Sequence, residues 1–262
     1  GSTGKPKGVI VEHASAVNLL FAMQELYPFT PLDTYLLKTS YLFDVSVTEL
    51  FGWYMGGGRL AILEKDGEKD PRVISKWIEW QQVTHINFVP SMFNAFISQL
   101  DNSNIKSLAS LKYIFLAGEA LSPGFVKKFQ DLDTAIRLEN IYGTTEGTVY
   151  SSKYSLAEWN GGGNIPIGSP IPNVRLYIFD KNKRLQPPGI AGELIISGIG
   201  LARGYLNRPE LTAEKFIEYR SYRSDKTNIF YKTGDLACWL AGGDIEFLGR
   251  IDHQVKIRGF RV

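Results

Sequence analysis

The sequence predicts an α/β fold of layered strands and helices that passes into a β-rich part, and three observations carry the prediction. Short apolar runs alternate with amphipathic helical segments through residues 1–160. Those runs end in glycine or other small residues, as strands do when ligands bind at their carboxyl ends. From Gly161-Gly162-Gly163 onward the chain is richer in Gly and Pro, with short alternating strands. At 262 residues, 44% hydrophobic and 21% charged, the chain falls in the soluble globular class and is long enough for one large core or two smaller ones. A net charge of +2, from 29 basic and 27 acidic residues, calls for neither nucleic acid nor an anionic membrane as partner. Cys238 is the single cysteine and cannot form an internal disulfide. Neither a signal peptide nor an apolar run long enough for a bilayer is present, so a reducing cytoplasm is the expected location. Cys238 lies in the apolar stretch 236–240 and reads as buried filler rather than a nucleophile.

The elements follow in order. Residues 1–8, GSTGKPKG, precede the apolar Val9-Ile10-Val11 and read as a loop feeding a strand. Small and hydroxylated residues with lysines suit a phosphate-gripping loop; a disordered terminus is the other reading, and the spacing is not that of a Walker loop. Residues 13–26 have helical spacing, with Val17, Leu20 and Phe21 able to share a face and His13 at the helix start. A strand at 35–37 precedes the mostly apolar stretch 41–51, which is interrupted by Asp44. A carboxylate among Phe43, Val45 and Val47 either meets a cation or caps the following helix. Gly56-Gly57-Gly58 marks a turn before a short strand at 60–63. Residues 71–82 form an amphipathic helix through Ile74, Trp77 and Ile78. Then come a strand at 86–90, a helix through Phe96 and Leu100, an apolar run at 113–120 and a helix at 122–130. In the later part, strands are expected at 174–179 and 192–198, a short helix near 209–216, and disorder at 219–228.

The chemistry concentrates at Asn140-Ile141-Tyr142-Gly143-Thr144-Thr145-Glu146. Tyr142 offers an aromatic face for a purine and Asn140 an amide that can read an exocyclic amine. Gly143 lets backbone approach a ligand, Thr144 and Thr145 carry hydroxyls suited to phosphate oxygens, and Glu146 is a hard ligand for Mg²⁺. The same residues also fit a plain surface turn after a strand.

Taken in order, residues 1–8, Phe43-Asp44, 140–146, 192–209, 231–235 and 249–262 resemble the core motifs of the adenylate-forming superfamily. The amino-acid-activating adenylation domains of nonribosomal peptide synthetases are the branch that they resemble most. The resemblance implies a layered α/β large subdomain with an appended distorted β-barrel, and a small C-terminal subdomain that is essentially missing. It divides the chain into 1–160, the α/β part, 161–249, the β-rich part, and 250–262, the hinge and first residues of the small subdomain. It also implies that the domain continues on both sides and that the family's catalytic lysine lies beyond Val262.

Position by position, the resemblance implies ATP, Mg²⁺ and a carrier-borne phosphopantetheine as cofactors. Tyr142 would stack on adenine near Asn140, while Gly118, Glu119 and Ala120 would line the adenine slot. Gly143, Thr144 and Phe247 would belong to the nucleotide set. Thr145 would contact the α-phosphate and Glu146 would hold Mg²⁺. Asp235 would accept both ribose hydroxyls, Arg250 would add a ribose or phosphate contact, and Asp252 would be the hinge. Thr3, Lys5 and Lys7 would grip the leaving pyrophosphate. Asp44 would pair with the substrate's α-ammonium group and Phe43 would gate the thiol's path. Val45, Thr48, Asn87, Phe115, Ala117, Ile141, Val149 and Tyr150 would line the pocket. None is charged and several are bulky, so the expected substrate is a small neutral amino acid, alanine or glycine. The implied partners are a peptidyl carrier protein domain, neighbouring synthetase domains and a small accessory protein. The alternatives are an acyl- or aryl-acid ligase of the same superfamily, or a nucleotide-binding module without catalysis.

Overall fold

A computed structural model describes residues 7–100, 105–220, 227–252, 256–257 and 260–261. The chain forms α1 (His13–Leu26), β1 (Thr34–Leu37), α2 (Ser46–Met55), β2 (Arg59–Ile62), α3 (Pro71–Gln81), β3 (His85–Phe88), α4 (Pro90–Ile97), β4 (Tyr113–Ala117), α5 (Pro123–Gln130), β5 (Arg137–Tyr142) and β6 (Ser152–Ser155). After these come β7 (Ser169–Pro170), β8 (Val174–Phe179), β9 (Gly192–Gly198), α6 (Pro209–Lys215), β10 (Phe216–Arg220), β11 (Thr227–Trp239), β12 (Ile245–Arg250), β13 (Lys256–Ile257) and β14 (Phe260–Arg261). Proline opens α3, α4 and α5, where its missing N–H is no loss. The Asp70 carboxylate caps α3 by accepting the Arg72 N–H at 2.9 Å. Among the described residues no helix is long and apolar enough to cross a membrane.

The chain divides into two compact units, one of Leu20–Asn140 and Ser155–Ile165, the other of Gly1–Leu19, Ile141–Tyr154 and Pro166–Val262. In the first, the strands run β2-β1-β3-β4-β5, and β1 pairs parallel with both β2 and β3, as β3 does with β4. Parallel neighbours need crossovers, which the intervening helices supply. β3 is buried along its whole length. One side of this sheet gathers Tyr27, Phe29, Tyr35, His85, Tyr113 and Phe115 into a mutually packed aromatic cluster. Phe88 packs instead on Phe93 and Phe96 of α4, and Phe93 on Phe129 of α5. Beside the first cluster is a cavity of about 20 Å³, room for roughly one water, lined by Tyr35, Thr48, His85 and Phe115 among others.

In the second unit β6 and β7 pair antiparallel, and β10-β11-β9-β8 form an antiparallel sheet that β12 joins through β11. Phe179, Ile195 and Phe230 make its core, with Tyr177, Ile217 and Tyr219 packed around them. β13 and β14 pair antiparallel, giving a strand structure to part of the basic carboxyl-terminal stretch.

Several expectations need correcting. Val9-Ile10-Val11 is no strand: it makes one isolated bridge, Val9 to Tyr205, flanked by Ile10 N–H donating to Gly204 O at 2.9 Å and Ile10 O accepting from the Arg203 N–H at 2.8 Å. Val17 and Phe21 do share a face of α1, but they are exposed, while Leu19, Ala22 and Met23 are buried. The stretch 41–51 is a turn followed by α2. The residue before that helix is Val45, with no side-chain cap, so Asp44 does not cap it. The expected disorder at 219–228 fails at its ends, where Tyr219 pairs with Asn228. Residues 221–226 lie outside the described residues. Cys238 is buried as expected, and burial pushes its thiol pKa up.

Candidate functional site

In the second unit the site grows out of an irregularity in β11. That strand pairs with β9 at Phe230–Lys232 and again at Leu236–Ala237, with a register shift between. The shift releases Thr233-Gly234-Asp235 from pairing with β9, while Asp235 stays paired with β12, and it re-aims Asp235. Gly234 sits at φ +73, and a Cβ there would come within 2.8 Å of Arg250 Nη2. The Thr233 hydroxyl donates to Leu194 O at 2.6 Å and accepts the Asp235 N–H at 3.0 Å. Glu193 Oε1 accepts the Gly234 N–H at 3.1 Å.

So held, Asp235 keeps 7% side-chain exposure and meets two partners. The Tyr142 hydroxyl donates to its Oδ2 at 2.5 Å, and Arg250 Nη1 donates to its Oδ1 at 2.7 Å. Arg250 stands opposite Asp235 in the β11–β12 register and also forks onto Asp252, with bonds of 2.6 and 2.7 Å. This double pairing raises the guanidinium above its ordinary pKa. Each carboxylate oxygen has two lone-pair sites, so Asp235 can still receive a vicinal diol. Phe247 is half-buried on β12, opposite Ala237.

The loop after β5 is equally constrained. The Thr144 hydroxyl accepts the Gly147 N–H at 3.2 Å, capping a short 3₁₀ turn, Thr145–Gly147, that carries Glu146. Thr145 is half-buried. Glu146, 2% exposed, accepts the Tyr205 hydroxyl at 2.7 Å. Beyond it Thr148 and Val149 both take positive φ, +58° and +69°. The Tyr150 N–H reaches back to Thr148 O at 2.9 Å, a γ-turn that a β-branched residue adopts only under strain. Val149 and Tyr150 are buried, as is Ile141. A Cβ on Gly143 would lie 2.0 Å from Val149 O, so only glycine fits there.

In the first unit, Gly118 follows β4 at φ +96, and Glu119 accepts the Ser91 N–H at 3.0 Å and its hydroxyl at 3.3 Å, at the amino end of α4. Ala120 is exposed, whereas Asn140 is 5% exposed. Phe43, Asp44 and Val45 are half-buried in the turn before α2. Thr48, Asn87, Phe115 and Ala117 are buried, and Asn87 Nδ2 bonds to Thr48 Oγ1 at 3.2 Å and to Glu49 Oε1 at 3.1 Å.

Lys7 lies over the Tyr205 ring at 5.9 Å, whereas Thr3 and Lys5 are outside the described residues. Sequence reasoning missed Tyr205, Thr233, Glu193 and Glu49. Tyr205 and Glu193 stand in stretches whose pattern marks a strand or a turn and gives neither residue a role. Among the described residues no group of three or more His, Cys, Asp or Glu could hold a metal ion. A single buried carboxylate such as Glu146, bonded to the Tyr205 hydroxyl, suits Mg²⁺, which takes one or two carboxylates together with substrate phosphates.

Residues 1–206 match the family model described as AMP-binding enzyme, and the chain belongs to that family. It is 50% identical over 262 residues to a linear gramicidin synthase of Brevibacillus parabrevis, and 50% identical over 264 residues to polyketide synthase PksN of Bacillus subtilis (strain 168). Each alignment covers 100% of this chain and 5% of the relative, so the chain spans a small part of either protein. Among solved structures, holo-PA1221, an NRPS protein containing adenylation and PCP domains bound to a vinylsulfonamide inhibitor, superposes with a TM-score of 0.91 at 29% identity. That match covers 100% of this chain and 44% of the other, and it bears out the layered α/β fold.

Proposed function

We propose that the chain activates an amino acid at the expense of ATP, as an aminoacyl-adenylate, within a nonribosomal peptide synthetase. The observation that carries this reading is the Tyr142–Asp235–Arg250 cluster in a chain of the AMP-binding enzyme family. Asp235 receives the two ribose hydroxyls, and the Tyr142 ring, anchored through its own hydroxyl, lies against adenine with Asn140 near its amine. Gly118, Glu119, Ala120, Gly143, Thr144 and Phe247 complete the nucleotide set. Glu146 would hold Mg²⁺, which when bound offsets phosphate charge. Thr145 contacts the α-phosphate, and Thr3, Lys5 and Lys7 the departing pyrophosphate. The amino-acid carboxylate attacks the α-phosphorus, the bond to the bridging oxygen breaks, and pyrophosphate leaves with that electron pair. The protein's share is positioning and charge stabilisation. The phosphopantetheine thiol of a peptidyl carrier domain would then take the acyl group, past Phe43, losing its proton as the acyl–phosphate bond breaks and AMP leaves, with Asp252 as the hinge between the two steps.

Asp44 pairs with the α-ammonium group. Its failure to cap α2 supports that role. Val45, Thr48, Asn87, Phe115, Ala117, Ile141, Val149 and Tyr150 carry no charge, which favours a small neutral substrate, alanine or glycine. Amino-acid-dependent ATP–pyrophosphate exchange, run with Mg²⁺ across the standard amino acids on the full-length protein, tests the proposal. Exchange with one or two small neutral amino acids is expected. Exchange with none of them, and activity with acyl or aryl acids instead, would overturn it.

A further inference from the structure

The two ends of the Asn87 side chain differ only in which carries hydrogen, so its neighbours decide how it lies. The Thr48 hydroxyl donates to Val45 O at 2.8 Å, leaving only lone pairs toward Asn87 Nδ2 at 3.2 Å. Glu49 is 0% exposed and surrounded by donors: the backbone N–H groups of Lys38 and Thr39 reach its Oε2 at 3.0 and 2.9 Å. The Thr39 hydroxyl and Asn87 Nδ2 reach its Oε1 at 2.7 and 3.1 Å. On the other side the Tyr35 hydroxyl donates to Asn87 Oδ1 at 3.2 Å, and burial keeps that phenol protonated. Each contact requires the same orientation, with NH₂ toward α2 and carbonyl toward Tyr35.

We propose that Glu49 is a specificity-positioning residue. By fixing which end of Asn87 faces which wall, it sets the donor and acceptor pattern at the pocket floor and hence the order in which amino acids are accepted. This rests on the reading above that Asn87 lines the amino-acid pocket. Glu49→Gln is the discriminating change. Two backbone N–H groups cannot turn away, so they hold the new amide's oxygen, and its NH₂ faces Thr39 and Asn87. The Thr39 hydroxyl rotates to accept; Asn87 must turn over. Asn87→Asp alone sets two carboxylates together in a buried place, and the double variant E49Q/N87D pairs an NH₂ with a carboxylate again.

In the full-length protein, E49Q is expected to change the ratio of kcat/KM between the first- and second-ranked amino acids by about tenfold, through the amino-acid KM, with the KM for ATP unchanged. Unfolding of the four proteins is expected to show coupling between positions 49 and 87 of about tenfold in the folding equilibrium. A folded E49Q with unaltered ranking overturns the specificity role, and additive stabilities overturn the orientation. If E49Q does not fold, recovery of folding in E49Q/N87D supports the pairing, while a double variant no better than the sum of its parts refutes it. Absence of exchange by the unaltered protein sinks the activation reading and the specificity role with it, and the unfolding cycle still decides the orientation separately.

Discussion

Asp235 owes its behaviour to neighbours far from it in the chain. Tyr142 and Arg250 each hold one of its oxygens. Replacing Asp235 by Ala removes the proposed acceptor of the ribose diol. ATP affinity, measured by calorimetry, should fall by about 1.5–3 kcal/mol, the range for hydrogen bonds to a charged group. Unchanged affinity would show that the diol lies elsewhere. Tyr205 is a second case: its backbone bridges to Val9, its ring lies under Lys7 and its hydroxyl bonds to buried Glu146. Tyr205→Phe keeps the ring and removes one donor, so denaturant unfolding should show a loss of about 1–3 kcal/mol. Asp235 could be singled out through the resemblance of 231–235 to a family motif, whereas Tyr205 could not, because tyrosine after glycine has no signature until Glu146 is seen beside it.

Two short irregular elements do the aiming. The γ-turn at Val149 pushes its carbonyl to where a Gly143 side chain would be, so Gly143→Ala forces a 2.0 Å contact to relax. Overpacking of that kind costs about 1–3 kcal/mol. A lowered Tm together with a raised amino-acid KM is expected, and an unaffected KM would separate the turn from the pocket. In β11 the Thr233 hydroxyl ties the bulge to β9. Thr233→Val is nearly isosteric, leaves Leu194 O and the Asp235 N–H without that partner, and should weaken nucleotide binding more than it lowers Tm. A β-bulge and a strained turn were illegible beforehand, since neither follows from hydrophobic period or residue preference; valine at positive φ runs against both. The regular elements were legible: the helical spacing of Ile74, Trp77 and Ile78 announces α3, and alternation fixes β8 and β9.

For the molecule as a whole, one contribution to acid stability comes from His85, 1% exposed within the aromatic cluster. Burial pushes its imidazole down from 6.5 to about 3. The unfolded chain takes up that proton below pH 6.5 while the folded chain refuses it until about pH 3. His85 therefore contributes stability that is fully present above pH 6.5 and is lost as pH falls through this window. The slope is at most about 1.4 kcal/mol per pH unit for one proton. Urea unfolding between pH 7 and 4 should show the loss, and His85→Phe should flatten that limb; an unchanged limb would place the effect in other groups. By itself the sequence determined the alternation of strand and helix, the shift to a β-rich part, and the residue types for nucleotide chemistry, because period, turn residues and side-chain valence are local properties. Only the tertiary structure decided that Tyr142 and Arg250 share Asp235, that Glu49 orients Asn87, and that Val17 faces outward while Leu19 is buried. Those outcomes depend on which distant surfaces desolvate one another, and hydrogen-bond direction and burial are settled by that packing.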